Sequence, residues 1–398
     1  MGEQFDRASS MRVLCRNARR CKQAAAWKDG PVDIYLKRVG KSQTLRNDLL
    51  TGKYKMQRTV EVEVFRPKHR IANAPASRDK IWQKSMCECG IYEDLTSSLI
   101  VDNIACQKGK GTDMAIRRVI RMLQRLHREA PGEPVFGVHL DIKRYFPSTP
   151  QNEVKELDRR KITEELFLLY LDEIIESYED KRPKEDIEKD PFGKRGTGLG
   201  SEINQLHEVS LLDPLDHELK TFCRNYIRYN DDFLILDHDI EVVKRARDTI
   251  KTYLAGKGLT MTDKGGIFKA SDGFYFLRKR FIMKTSGKII IRLHKKALAE
   301  ERKTLRGLKR GVDQGVRTMD DVKHHYQSWI ANAEYAGDAP IRAMDHFYTV
   351  TFRQKPEYKR KRRYLYGRNC KRRQTENQRA GARERAPETG ARGGEGYY

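Results

Sequence analysis

Apolar residues recur at helical spacing in some stretches of the chain and alternate with polar ones in others, and the two periods predict different elements. Met114, Ile116, Val119, Ile120, Leu123 and Leu126 mark a helix over 114–128, which Pro131-Gly132 closes. Residues 1–60 are basic and predict helix, for example over 42–50, and VEVEV at 60–64 predicts a strand. A short buried strand at 135–140 runs into Asp141; Thr149 and Pro150 then read as the N-cap and first position of a helix. Residues 166–177 form another amphipathic pattern, 179–200 a charged, glycine-bearing loop, and 202–220 a helix. YIRYNDDFLIL at 226–236 reads as strand, turn and strand, with helix over 242–255. Strands at 274–281 and 288–293 flank Thr285-Ser286-Gly287. Three basic helical patterns follow, 295–310, 318–335 and 340–350, the second opened by a capping box from Thr318 to Asp321. From about Lys355 the chain turns Arg- and Gly-rich, a composition that predicts disorder. No internal repeat is visible, and the pattern as a whole predicts a mixed α+β fold.

The length, 398 residues, suits one large domain or two to three subdomains. Charge changes the picture more. The formal net charge is +24 and the pI about 9.7. Residues 351–398 hold 15 Lys+Arg against 5 Asp+Glu, so they carry +10 and leave +14 in the body. A body that basic points to a polyanionic partner, nucleic acid first. The seven cysteines are scattered, with no CxxC pair and no zinc-finger spacing. Their odd number and the lack of a signal peptide fit a reducing cytoplasm, and no apolar run is long enough to span a membrane.

Two predicted strands end in acid: VFGVHLDIKRYFPS at Asp141, and YNDD at Asp231 and Asp232. Each has an ordinary reading. Asn and Asp suit a tight turn, and an Asp after a strand often caps a helix. Together they suggest more, because acids meeting at one edge repel unless a divalent cation joins them. Hard oxygen ligands select Mg2+ or Mn2+.

LDIKRYF at 140–146, GTGLGSEINQ at 196–205 and YNDD at 229–232, in this order, resemble the palm motifs of reverse transcriptases. They are most similar to the bacterial retroelement group of group II intron, retron and diversity-generating enzymes. FRPKHRI at 65–71, RDKIWQ at 78–83 and DNIACQKGKGT at 102–112 resemble the fingers blocks of the same family, so the likeness runs from about residue 50 to 352. It implies a right-hand polymerase: a basic extension over 1–60, fingers over 61–134, and a palm of antiparallel sheet plus helices over 135–283 with a fingers-like insertion around 150–195. A helical thumb over 284–352 and a basic tail over 353–398 complete it.

The resemblance also implies roles. Asp141, Asp231 and Asp232 match the catalytic acids that hold Mg2+ (or Mn2+), with the carbonyl of Ile142 completing a metal shell. Phe146 matches the aromatic that excludes a 2′-hydroxyl and so selects dNTPs, with Tyr145 the core residue of the pair. Gln205 matches a glutamine that meets the incoming sugar. Lys68 and Arg70 match positions that neutralise triphosphate. Lys264 in GLTMTDK resembles a lysine that protonates leaving pyrophosphate. Phe276-Leu277-Arg278 resembles a primer-grip segment with Arg278 where Gly is usual, and SWIANA at 328–333 resembles a thumb-helix string. Arg278, Lys295, Lys296, Arg302, Lys303 and Arg306 are expected to face template–primer duplex, a binding that weakens steeply with salt.

The implied function is RNA-directed DNA polymerisation, with an RNA template, a DNA or RNA primer and dNTPs as partners. The Gln205 block and the thumb string are closest to the diversity-generating type, whose members work with a small basic helical accessory protein. A group II-intron-like or defence-associated enzyme is the alternative, and a non-catalytic RNA-binding scaffold is the alternative from another class. RNA-directed RNA polymerisation is disfavoured by Phe146.

Overall fold

The computed structural model describes residues 2–24, 29–64 and 69–360, without the side chains of residues 24 and 29–31. The chain divides into two compact units, one up to Ile290 and one from Ile291 onward. It is mixed α+β with antiparallel sheets, the fold class expected.

In the first unit β1 (Val60–Val64) and β2 (Arg70–Ala74) pair as an exposed antiparallel ribbon. The main sheet has five strands: β3 (Phe136–Ile142), β4 (Tyr226–Tyr229), β5 (Asp232–Asp237), β6 (Met261–Asp263) and β7 (Phe268–Lys269). Their order is β4-β5-β3-β6, with β7 also on β3. Alternation sorts the faces. Val138, Leu140 and Ile142 of β3 and Phe233 and Ile235 of β5 pack with Leu215, Leu219, Val243, Ile250 and Leu254 of the helices Asp213–Phe222 and Ile240–Gly256. His139, Asp141 and Asp232 therefore point to the other face.

The first fifty residues are built into this unit. Phe5, Leu14, Leu45 and Leu49 from their helices share one buried cluster with Trp82, Phe167 and Leu206.

Several predicted elements are redrawn. The strand predicted to stop before Asp141 continues to Ile142, so Asp141 lies inside β3. Thr149 does not cap the helix Gln151–Lys161, because its hydroxyl is taken up by Glu208 and by the Tyr145 carbonyl. The single helix over 202–220 is two, Glu202–Leu211 and Asp213–Phe222, since Pro214 has no N–H to continue the first. The loop over 179–200 contains a short helix, Lys184–Lys189.

The strand predicted over 274–281 folds back on itself as β8 (Phe274–Phe276) and β9 (Lys279–Met283), with Phe276 paired to Lys279. The two turn residues, Leu277 and Arg278, both sit in the left-handed region, at φ 47° and 63°. Tight hairpins demand that conformation, and glycine adopts it without strain. The turn therefore forms with Arg278 in a position that glycine would occupy without strain, at a local cost. Arg278→Gly should raise stability by about 1 kcal/mol in urea unfolding. An unchanged or lower midpoint would show that the arginine's own contacts outweigh the strain.

β10 (Ile289–Leu293) leads into the second unit, where the helices Ala297–Asp313, Met319–Ala333 and Asp338–Phe352 pack around Leu305, Val322, Tyr326, Ile330, Met344 and Tyr348. The Thr318–Asp321 capping box forms. Disorder is expected from about Lys355, but the chain is still held in place beyond that point. Tyr358 donates to Asp345 at 2.8 Å, and the Gln327 amide bonds both the N–H and the carbonyl of Lys359 at 2.7 and 2.8 Å. Those bonds fix the chain through residue 360, and the rest of the basic tail, 361–398, lies outside the described residues.

Candidate active site

Two pairings assemble the site. β3 and β5 are antiparallel in a register that sets Asp141 directly opposite Asp232. β4 and β5 form a hairpin in which Tyr229 pairs with Asp232, leaving Asn230 and Asp231 as the turn. Asn230 takes the left-handed conformation, φ 58°, which Asn tolerates better than most residues. The N–H of Ile142 donates to the Asp231 carbonyl at 3.3 Å and ties the turn to the end of β3. YNDD is thus both a tight turn and a source of carboxylates.

Asp141, Asp231 and Asp232 each offer an oxygen, and these atoms lie within 4.8 Å of one another. Burial, then the neighbouring Asp232 and Asp141, push the Asp231 carboxyl up to about 6. Burial alone would also raise Asp232, but the hydrogen bond from His139 and the Lys264 ammonium outweigh it and hold that carboxyl below its usual range. Of the three acids, Asp231 is therefore the one least compensated by neighbouring cations. A hard, all-oxygen donor set of this size fits a divalent cation such as Mg2+.

Lys264 stands at the cluster. Its Nζ is 3.0 Å from Asp141 Oδ1 and 2.5 Å from Asp232 Oδ1, and its N–H donates to the His139 carbonyl at 3.0 Å. Burial would lower its pKa, yet Asp232 and Asp141 more than reverse this and raise it. His139 Nε2 lies 3.0 Å from Asp232 Oδ1, and its ring meets Phe276 edge-on. Sequence reasoning missed His139. Its position two residues before Asp141 on a strand was the available signal.

The other expected residues fall in different places. Tyr145 is buried, with its hydroxyl donating to the Glu208 carbonyl at 2.8 Å, and Phe146 is half-buried in the same short helix, Tyr145–Ser148. Gln205 is half-buried on the helix Glu202–Leu211, which Ser201 caps through the Asn204 N–H. Arg70 is exposed at the start of β2, and Lys68 lies outside the described residues. Arg278 occupies the β8–β9 turn. Lys295, Lys296, Arg302, Lys303 and Arg306 belong to the second unit, and the helix there begins at Ala297, after the first two. The guanidinium groups of Arg302 and Arg306 lie 5.8 and 5.3 Å from the Phe347 ring, so both are engaged within that unit.

Gln205 also lines a cavity of about 540 Å3 that the linear pattern did not reveal. Tyr229, Tyr92, Lys80, Lys84 and Lys108 share its wall. The Lys108 ammonium sits 4.1 Å from the centre of the Tyr92 ring. Cations and aromatic faces together suit a nucleic-acid strand.

No protein-family model matches the chain, and no curated protein matches it. Among solved structures it is similar to the telomerase of Candida albicans in complex with a TWJ fragment of telomeric RNA. That likeness has 11% identity and a TM-score of 0.43, over 80% of this chain and 59% of that one. It is similar to the telomerase of Candida tropicalis in the corresponding RNA complex, at 13% identity and TM-score 0.40 over 80% and 59%. Apo Candida tropicalis telomerase truncated from its C-terminal domain gives 11% and 0.42 over 63% and 60%. The chain thus spans about three-fifths of the telomerase chains it resembles. No described helix is long and apolar enough to cross a membrane.

Proposed function

We propose that this chain is an RNA-directed DNA polymerase of right-hand form, adding dNTPs to a primer 3′-hydroxyl. The observation that carries the reading is the convergence of Asp141, Asp231 and Asp232 at the end of the paired interior strands β3 and β5, from segments about ninety residues apart. The ordered fingers and palm motifs around them support it. Within the class, the Gly200–Gln205 stretch and the SWIANA helix favour a diversity-generating retroelement enzyme with a small basic helical partner.

In this reading Asp141 and Asp231, with the Ile142 carbonyl and Asp232, would hold Mg2+. Two such ions, when bound, lower the pKa of the 3′-hydroxyl and neutralise the leaving pyrophosphate. The chain's own groups do the rest. The 3′-hydroxyl gives up its proton to solvent, and its oxygen bonds to the α-phosphorus as the bond to the pyrophosphate oxygen breaks. Lys264, held at the acids, supplies a proton to that oxygen. Phe146 blocks a 2′-hydroxyl and Gln205 meets the sugar. The cavity with Lys80, Lys84 and Lys108 takes the template strand.

The test is incorporation by purified protein on an RNA template with a DNA primer and Mg2+, with dNTPs and rNTPs in competition. The expected result is Mg2+-dependent DNA synthesis. Phe146→Ala should lower the dNTP-over-rNTP preference by about tenfold or more, the scale of one lost steric contact. RNA affinity without incorporation on any primer would instead leave a non-catalytic RNA-binding scaffold.

A further inference from the structure

One buried acid takes no part in the scheme above. Glu208 is fully buried, and its carboxylate oxygens accept hydrogen bonds from Thr197 Oγ1 at 2.5 Å and Thr149 Oγ1 at 2.8 Å. Its own carbonyl accepts from the Tyr145 hydroxyl. These partners are hydroxyls, not cations, so the charge is weakly compensated, and burial pushes the carboxyl up to about 7. A carboxyl in such a place is costly to the fold unless its hydrogen bonds do something a hydrocarbon could not.

What those bonds join is specific. Thr149 closes the segment 145–149, which follows Asp141 and carries Phe146. Thr197 belongs to the loop 196–201, which leads into the helix carrying Gln205. Glu208 lies on that helix one turn beyond Gln205. The same two segments are stitched by their backbones: Thr197 N–H donates to the Phe146 carbonyl at 3.2 Å and Gly196 N–H to the Thr149 carbonyl at 2.7 Å. Asn204 Nδ2 closes the loop onto the helix through the Gly198 carbonyl at 3.1 Å. Every chain segment meeting at Glu208 thus leads to Phe146 or to Gln205.

We propose that Glu208 is a positioning residue for nucleotide selection: it clamps the 145–149 segment to the 196–201 loop and fixes Phe146 and Gln205 at one spacing against the incoming sugar. The inference rests on the polymerase reading. A misplaced contact of this kind weakens binding of the matched nucleotide and lets a 2′-hydroxyl in, without touching the carboxylate cluster.

The test titrates dNTP and rNTP on one RNA template and DNA primer for wild type, Glu208→Ala, Glu208→Gln and the shape-preserving double variant Thr149→Val with Thr197→Val. Thermal melts run beside it. Glu208→Ala should raise the KM for dNTP about tenfold and lower the dNTP-over-rNTP ratio of kcat/KM by a similar factor. Its kcat and its template–primer Kd should stay within about threefold of wild type. Glu208→Gln, which keeps the shape of the protonated acid, should stay near wild type, and the threonine double variant should follow Glu208→Ala. If Glu208→Ala does not fold, the double variant decides. Unchanged KM and ratio in a folded variant, or a fall in kcat alone, overturns the clamp while leaving the polymerase standing. Absence of incorporation by wild type removes the polymerase reading, and the clamp with it.

Discussion

Asp231→Asn is expected to lower template-dependent dNTP incorporation by about three orders of magnitude, the scale of losing a group that stabilises developing charge. The same substitution should make the metal-free protein harder to unfold at neutral pH. Both outcomes come from one geometry. Three carboxylate oxygens lie within 4.8 Å of one another, and Lys264 and His139 compensate Asp232 ahead of Asp231. The Asp231 carboxyl is raised to about 6 by burial and by its two acidic neighbours. In the unfolded chain it ionises near 3.8. Between those values the native state binds the extra proton, so stability falls as pH rises through the interval, and the penalty is complete above about 6. Asn keeps the shape and removes the charge. A urea melt in EDTA should therefore favour Asp231→Asn at pH 7.5, with the difference closing below pH 6. Lost activity accompanied by lost stability would mean that the turn itself has been damaged. Equal incorporation by wild type and variant would assign the activity to a contaminant.

The sequence made the three acids visible for a physical reason. Each ends or interrupts a run of buried strand residues, and a charge there demands explanation. It could not reveal their convergence, because the register that sets Asp141 against Asp232 is a pairing between strands far apart in the chain. His139 was hidden for a related reason: only once Asp141 is known to lie within β3 does a residue two positions earlier share its face. The helix break at Leu212 was legible in Pro214, but the amphipathic pattern on both sides masked it. Thr149 looked like a cap because sequence cannot tell which of several partners a hydroxyl will choose, and Glu208, 59 residues away, took it. The lysine-lined cavity is assembled from separate helices and loops, so no local pattern announced it. The double left-handed turn at Leu277-Arg278 runs against local preference outright, which is why it read as continuous strand.

Arg228→Met should destabilise the first unit by about 3–5 kcal/mol, the usual result of orphaning one member of a buried ion pair. Arg228 and Asp216 are both fully buried and joined twice, Nε to Oδ1 at 2.8 Å and Nη2 to Oδ2 at 2.6 Å. Tyr226 and Asn103 also donate to Asp216, at 2.6 and 3.1 Å, so the acid would keep two hydroxyl or amide donors and lose the cation paired with it. Replacing both members, Arg228→Met with Asp216→Leu, should recover part of the stability, because no buried charge is then left alone, although the Tyr226 hydroxyl and the Asn103 amide lose their acceptor. Incorporation should not recover with it. Arg228 Nη1 donates to the carbonyl of Asn230 at 3.1 Å, and its backbone bonds Asp102 and Ile104 at 3.0 Å each. The side chain thus anchors the turn that carries Asp231, and the strand beneath it is pinned to the 102–112 segment. A leucine–methionine pair can fill the space but cannot hold that carbonyl. Urea unfolding and single-nucleotide incorporation on the same two variants separate the contributions. A double variant restored in both stability and activity would show that the hairpin keeps Asp231 in place without Arg228, and that the ion pair serves packing alone.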